Sequence, residues 1–508
     1  MLTGSHSARH GRIILPETNR SARWGCRLRG GHIVIVLIVA RPVKTAPMLL
    51  GAEHEAQEVA MPSTLLGGQA LVIGAGMAGL TAAGALAHRF ERVLVLERDT
   101  LPAQPSHRVG TPQARHVHGL LLSGQRALSE LFPGFEQDLA RFGAVPLRAG
   151  LDVRVERPGY DPFPQRDLGW SGYAASRPAI ERALRRRVEG QANITLRQHC
   201  RVREVLASSD GATVTGVRSE NEDGTSETMA ADLVVDASGR GAPTLSLLQS
   251  IGCPLPEETT IGIDLSYATS IFAVPDGAVR DWKGVMTFGE APKDSCGGLM
   301  LPLEGGRWML TLARRGDALP CDAEGFLAFA RSLRTPTIYN AICRAKPLDG
   351  VARYGFPESV RRHFERLDGF PRGLLPIGDA ICRFNPVYGQ GMSVAALEAC
   401  LLKRLLDGPG QESDPIAELA PRFFAEVQAL LETPWSVAML DFIFPDTRGQ
   451  RPADIAATLK FGAALTRLAA EDPAVHRLTM EVQHLLKPRS VYRDPKLIER
   501  VLAKMAEA

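Results

Sequence analysis

The 508-residue sequence predicts a doubly wound α/β domain, interrupted by a β-sheet domain and closed by C-terminal helices. Three observations predict it. Residues 70–97 read as strand, glycine turn, helix and strand in succession: Ala70–Ile73 (ALVI), Gly74-Ala75-Gly76-Met77-Ala78-Gly79, the Ala/Leu-rich Leu80–His88, and Val93–Leu96 ending at Glu97. Short unbroken apolar runs suit strands of a parallel sheet, buried on both faces. Two more, Asp232–Val235 and Gly373–Ile377, lie far down the chain, and each leads into a turn carrying an acid, Asp236 and Asp379. Between them Ile261–Val274 alternates, and Gly297–Leu303 and Arg307–Ala313 read as a hairpin across Glu304-Gly305-Gly306.

The chain opens with a different texture. Residues 1–60 hold eight Lys/Arg against four Asp/Glu, which accounts for the net charge of +3. The body is therefore close to neutral, and no excess of positive charge is available for phosphate backbones; nucleic acid is not an expected partner. The apolar run Ile33–Ala40 is far shorter than the roughly 20 residues a membrane span needs. It follows basic residues, as a signal peptide would, but leads into Arg41, Pro42 and Lys44 instead of a small-residue cleavage site. Residues 1–64 are expected to be a disordered extension, with Met61 as an alternative start. The eight cysteines are scattered with no C-x-x-C, which predicts free thiols in a reducing, cytoplasmic setting.

The glycine spacing has a physical reading. Gly74 permits the tight turn out of the strand. Gly76 lets backbone approach a pyrophosphate at the positive end of the following helix, and Gly79 lets that helix pack close to the strand. Glu97 stands where a carboxylate accepts hydrogen bonds from a ribose diol. This unit predicts a dinucleotide site without choosing between FAD and NAD. Taken alone, Asp236-Ala237-Ser238-Gly239 is an ordinary strand-to-turn sequence.

Together, Gly74–Gly79, Asp236–Gly239 and Gly378-Asp379 occur in the order found in single-component FAD-dependent monooxygenases, and the chain resembles that para-hydroxybenzoate-hydroxylase-like group. The middle motif departs from a plain D-G by Ala237 and Ser238. Gly110–Leu122 (GTPQARHVHGLLL), Ser176–Leu184 (SRPAIERAL) and Asn385–Ser393 (NPVYGQGMS) most resemble the squalene-epoxidase-like branch, especially bacterial epoxidases of polyether pathways. The similarity runs from about Leu71 to near the C-terminus and specifies the flavoenzyme class more strongly than the substrate.

The resemblance implies the following roles. Gly74, Gly76, Gly79, Glu97, Asp236 and Gly378 belong to the FAD-binding motifs. Asp379 hydrogen-bonds the ribityl chain, with a helix cap as its alternative. Arg177 and Arg115 are candidate flavin or phosphate contacts, with a surface salt bridge as the alternative for both and an equal one for Arg115. Gly389 and Gly391 let backbone pass beside the flavin ring, and the helix beginning near Met392 points its positive end at it. Pro386 and Tyr388 are the candidate catalytic positions. No metal is expected: His116 and His118 have no further ligands near them in sequence, and packing or flavin contact accounts for them better. The implied reaction is transfer of one oxygen of O2 through a flavin C4a-hydroperoxide to a lipophilic small molecule, most naturally as alkene epoxidation in secondary metabolism. NAD(P)H or a reductase partner supplies electrons; no second G-x-G-x-x-G is present for a nicotinamide domain, so NAD(P)H would bind transiently. Aromatic hydroxylation, reduction or dehydrogenation of a prenyl-type substrate, and a non-catalytic FAD-fold binding protein are the alternatives. The five tryptophans form no W-x-W, which disfavours flavin-dependent halogenases.

The expected organisation is an FAD-binding part at 65–244, with a substrate-side excursion near 145–170, a substrate-binding β-sheet domain at 245–370, the second FAD-binding part at 371–409 and a helical region at 410–508. Tyr267, Phe288, Met300 and Trp308 are candidate pocket residues, with the core as the equal alternative. Breaks are expected at Pro434, Pro445, Pro452 and Pro488. The apolar run Val437–Phe444, interrupted by one acid, is expected to cap the pocket in preference to touching a membrane peripherally; no transmembrane segment is expected.

Overall fold

The computed structural model describes residues 25–29, 32–36, 65–275, 277, 280–408 and 414–507. It divides into two units, Met1–Ala60 and Met61–Ala508. In the first, Gly25–Arg29 and His32–Val36 pair antiparallel. The expected disorder of residues 1–64 otherwise concerns positions outside the described residues.

The second unit is built on a five-stranded parallel sheet in the order Leu374–Pro376, Leu233–Asp236, Gly67–Ile73, Phe90–Leu96, Ile194–Arg197. Strands from opposite ends of the sequence are thus neighbours, which is the doubly wound arrangement. The first crossover is the helix Met77–Leu86. Nine of its ten residues are buried, and it packs against the sheet and against helices Arg177–Glu189 and Gly391–Asp407. A helix without a polar face belongs inside, and its Ala and Gly content lets three neighbours approach closely. At Gly79 a Cβ would stand 1.8 Å from the carbonyl oxygen of Gly74, so the helix can approach the strand end this closely only with glycine there. Gly74 itself turns with φ +99°, a conformation that favours glycine.

A seven-stranded sheet lies beyond. Its order is Cys382–Arg383, Ala352–Arg362, Glu258–Ala273, Arg307–Arg315, Gly297–Leu303, Gly284–Phe288, Val153–Glu156. All pairs are antiparallel except the last. The 145–170 segment contributes its edge strand Val153–Glu156, and Cys382–Arg383 ties the turn after Asp379 to its other edge. Met300 and Trp308 belong to this sheet's outer core with Phe272, Phe326 and Ile338, whereas Tyr267 and Phe288 line an interior cavity.

The C-terminal region is helical: Pro415–Ala438, Ile455–Glu471, Pro473–Gln483 and Pro495–Ala506. One expectation fails here. Pro434 does not break the chain but lies inside Pro415–Ala438, as does Pro421. An interior proline removes one backbone hydrogen bond and costs about 3 kcal/mol, and burial of Leu431, Trp435 and Ala438 on one face of the same stretch offsets it. Among the described residues no helix is long and apolar enough to cross a membrane, and the seven cysteines from Cys200 to Cys400 are free thiols.

The close contact at Gly79 makes a clear prediction. Gly79→Ala is expected to destabilise the protein by at least about 1–3 kcal/mol, the range for overpacking, because the obstacle is backbone and cannot rotate away. Urea denaturation of the two proteins measures it; an unchanged midpoint would refute the stated reason for glycine.

Candidate active site

The ends of the parallel strands open into a cavity of about 1060 Å3. It reaches from the glycine turn, past Arg177 and Asp379, to the inner face of the seven-stranded sheet at Leu265, Tyr267 and Tyr354. Two helices start at its wall, Met77–Leu86 and Gly391–Asp407, and neither has a side chain capping its first turn. Free N–H groups and the positive ends of both dipoles are therefore available to an anionic or electron-rich ligand. A Cβ on Gly76 would meet nothing within 4 Å, so this glycine faces open space.

A buried ionic cluster stiffens the cavity end at the glycine turn. Glu97 accepts hydrogen bonds from the N–H groups of Ala75 (2.8 Å) and Asp99 (3.0 Å) and pairs with Arg108 (3.2 Å). It lines the cavity, but Oε2 already serves the glycine turn and Oε1 the Asp99 backbone. Arg108 also reaches Asp99 (3.2 Å) and Glu181 (2.7 Å), and Glu181 pairs with Arg177 (3.0 Å). Arg177 sits at the start of its helix, whose cap Ser176 accepts the N–H of Ala179. Burial depresses the Arg177 pKa, with Glu181 opposing.

Asp379 is the least engaged acid of the site. Its side chain accepts no hydrogen bond among the described residues, and it is accessible where it lines the cavity. Desolvation raises its pKa to about 6, against the pull of Arg383, Arg177 and Arg362. The turn that presents it needs Gly378, which has φ +68° and whose N–H donates to Glu398 Oε2 at 2.6 Å. Glu398 is completely buried on the 391–407 helix, with Oε1 unpartnered, and burial raises its pKa to about 8.

The Asn385–Tyr388 turn is held from the C-terminal region. Asp441 accepts from Asn385 Nδ2 (3.0 Å) and Tyr388 O–H (3.3 Å), with Arg315 at 3.5 Å. Asp441 is the acid that interrupts the apolar run Val437–Phe444; it and Phe444 line the cavity. Pro386, Tyr388, Gly389, Gly391 and Met392 line it too.

His116 and His118 diverge along an extended segment. His116 Nδ1 meets Thr269 Oγ1 at 2.7 Å on the sheet, while His118 Nδ1 meets the carbonyl oxygen of His116 at 2.8 Å and faces Arg177. Among the described residues no cluster suited to a metal is formed.

Four candidates stand elsewhere than a ligand contact requires. Asp236 is fully buried and spends its carboxylate on Ser238 N–H and on the N–H and hydroxyl of Thr244; its neighbours Ala237–Arg240 line the cavity instead. Arg115 ends a short turn that buries Ala114 and leaves the guanidinium exposed, off the cavity wall. Gly79 and Gly378 shape backbone behind the wall. Conversely, Arg108, Glu181 and Glu398 are not singled out in sequence, and Asp441 stands there only as the acid that interrupts an apolar run. Glu181 was legible as the i+4 partner of Arg177, and Glu398 and Asp441 as single acids in apolar surroundings; Arg108 carries no such signal.

A family model described as FAD binding domain matches residues 68–407. Protein Rv3254 of Mycobacterium tuberculosis is 36% identical over 367 residues, 69% of this chain and 76% of the relative. Among solved structures, flavin-dependent brominase Bmp2 aligns with a TM-score of 0.60 at 14% identity, covering 87% of this chain and 99% of the brominase. A protein described as a probable FAD-dependent monooxygenase from Pseudomonas aeruginosa aligns with 0.54 at 17%, covering 75% and 98%. At these identities the structural likeness is one of fold.

Glu398 ties this site to pH. Its carboxyl holds its proton more tightly folded than unfolded, so its contribution to stability is complete below its ordinary pKa and is lost as pH rises toward about 8. Glu398→Gln, which retains an acceptor for Gly378 N–H, is expected to flatten the decline of stability between about pH 5 and 8. Denaturation midpoints across that range test it; identical slopes in both proteins would contradict it.

Proposed function

The chain belongs to the FAD binding domain family, and from that premise we propose that it is an FAD-dependent monooxygenase that passes one oxygen of O2 to a lipophilic small molecule, with alkene epoxidation as the reaction. The observation that carries the proposal is the continuity of one cavity from the glycine turn to the inner face of the seven-stranded sheet. A dinucleotide at one end and a substrate at the other would share it. The residues fit FAD: Gly76 faces open space, two uncapped helix starts face the wall, and the Asp379 carboxylate lacks a protein donor.

In this reading Gly74 and Gly76 give the pyrophosphate access to the first helix start, with Glu97 fixing that turn through Ala75 N–H. Asp379 accepts ribityl hydroxyls, and Arg177 lies beside it as the nearby cation. Gly389, Gly391 and Met392 present the second helix start to the ring. When bound, FAD supplies the electron transfer and oxygen activation that no side chain here can provide. Pro386 and Tyr388 stand on the substrate side, Tyr388 held by Asp441. Leu265, Phe356 and Phe444 line the same space and limit water there. NAD(P)H or a reductase is the proposed donor. The free thiols support a cytoplasmic setting, and the seven-stranded sheet is the proposed substrate domain.

A second reading, hydroxylation of a phenol, draws on the Tyr388–Asp441 hydrogen bond. Burial raises the pKa of both groups, and a hydroxyl backed by a carboxylate can relay a proton. Sequence alone showed no such pair near Asn385–Met392.

Two experiments test these readings. Asp379→Ala is expected to weaken FAD retention about tenfold or more, since a charged acceptor is worth about 1.5–3 kcal/mol. Gly76→Val should be worse for flavin while preserving the fold, because its side chain enters ligand space. Flavin absorbance after gel filtration reads both, and wild-type ratios in both would sink the site. Product analysis under ¹⁸O2 should show one labelled oxygen in an epoxide or its derived diol or ring; labelled phenols with alkenes untouched would select the second reading.

A further inference from the structure

Opposite the glycine turn, the inner face of the seven-stranded sheet carries an unspent hydrogen-bond donor. Tyr267 and Thr269 lie two apart on the strand Glu258–Ala273 and so share a face. Their cross-strand partners Tyr354 and Thr311 share it too. His116 packs onto this patch, its ring centroid 5.8 Å from Tyr267 and 5.6 Å from Tyr354. It is 4% exposed, and its Nε2 has no protein partner although the residue lines the cavity. Tyr267, 6% exposed, likewise has an unpartnered hydroxyl.

The hydrogen bonds behind His116 favour one position for its proton. Val117 N–H donates to Thr311 Oγ1 at 2.9 Å. Thr311 Oγ1 and Thr269 Oγ1 are 2.7 Å apart, and Thr269 Oγ1 is 2.7 Å from His116 Nδ1. Thr311 already accepts from Val117. If it also accepted from Thr269, its own proton would have no described acceptor and would have to turn into the cavity that Thr311 lines, whereas the opposite direction keeps both hydroxyl protons hydrogen-bonded within the chain. The satisfied direction runs Val117 N–H to Thr311, Thr311 to Thr269, and Thr269 to Nδ1. That leaves the proton on Nε2. Burial, with His107 and Arg115, lowers the imidazole pKa to about 4, so the ring is neutral at ordinary pH.

We propose that His116 Nε2–H, with the Tyr267 hydroxyl beside it, is the anchor for a lone-pair oxygen of the substrate, a carbonyl or phenolate oxygen attached to an apolar body. The substrate is then an oxygenated molecule and not a plain hydrocarbon. This rests on reading the cavity as the substrate chamber of a flavin enzyme, and it adds a specificity-determining residue to it. A buried donor left unpaired by a hydrocarbon penalises that ligand, so discrimination arises from the missing bond as much as from the one formed.

The test uses the purified full-chain protein and equilibrium dialysis with shape-matched probes: methyl naphthyl ketone, isopropenylnaphthalene, in which a methylene replaces the carbonyl oxygen, and naphthol. The ketone is expected to bind about tenfold more tightly than the alkene. His116→Phe should abolish that preference without changing alkene affinity, and His116→Gln, which keeps a donor, should restore part of it. Thr269→Val leaves the cavity wall chemically intact and should weaken the preference several-fold by releasing the tautomer. A His116-dependent gain for naphthol would identify a phenolic oxygen as the guest. Equal binding of ketone and alkene by the wild type, or equal loss of both in His116→Phe, overturns the proposal. So does loss of bound FAD in His116→Phe with the ketone preference intact, which would assign the donor to the flavin. Flavin absorbance of the wild type separately reads the proposed function.

Discussion

The close approach of the helix Met77–Leu86 to the strand Gly67–Ile73 is the constraint on which the site depends. With only 1.8 Å between a Cβ at position 79 and the Gly74 carbonyl oxygen, the helix can start where it does only without a side chain there. That placement brings its uncapped N–H groups to the cavity wall beside Gly76. Glu97 then locks the turn through Ala75, and Arg108 links Glu97 to Asp99 and Glu181. Such a cluster is weak evidence for stability, because desolvating several charges opposes their attraction. Its structural effect is clear: it holds Arg177 at the cavity by way of Glu181.

The second half of the site is built on a similar principle from distant parts of the chain. Gly378 turns the backbone so that Asp379 faces the cavity, and the buried Glu398 receives the N–H that this turn would otherwise strand. Asp441 does the same for the Asn385–Tyr388 turn. In both cases a carboxyl placed in apolar surroundings has its pKa raised, and in both its hydrogen bonds go to the turn that carries ligand-facing groups. Deep carboxyls of this kind trade solvation for positional control.

The two ends of the cavity differ in chemistry. The end at the glycine turn is crowded with charge and helix ends. The sheet end offers aromatic faces with a few isolated polar atoms, the composition expected where a small number of contacts orient an apolar ligand. Electrostatics would thus bind the cofactor tightly, while a single donor such as His116 can decide between ligands of equal shape.

The sequence by itself determined the glycine turn, the hairpin across Glu304-Gly305-Gly306 and the Gly378-Asp379 turn, because these depend on close neighbours and on backbone conformations that few residues tolerate, and it marked the strands of the parallel sheet by their short apolar runs, though not their order. It also marked the cavity-lining glycines Gly74, Gly76, Gly389 and Gly391. It misplaced Pro434 as a break, since local propensity cannot weigh the burial of Leu431 and Trp435 on the same helix. It set Asp236 among ligand contacts, whereas Thr244 and Ser238 absorb its carboxylate. It missed Arg108, Glu398 and the role of Asp441, and could not say that His116 faces two threonines of a sheet more than 150 residues away. Those facts were decided by tertiary structure, because whether a polar group is spent or free depends on partners that only the folded chain brings within hydrogen-bonding distance.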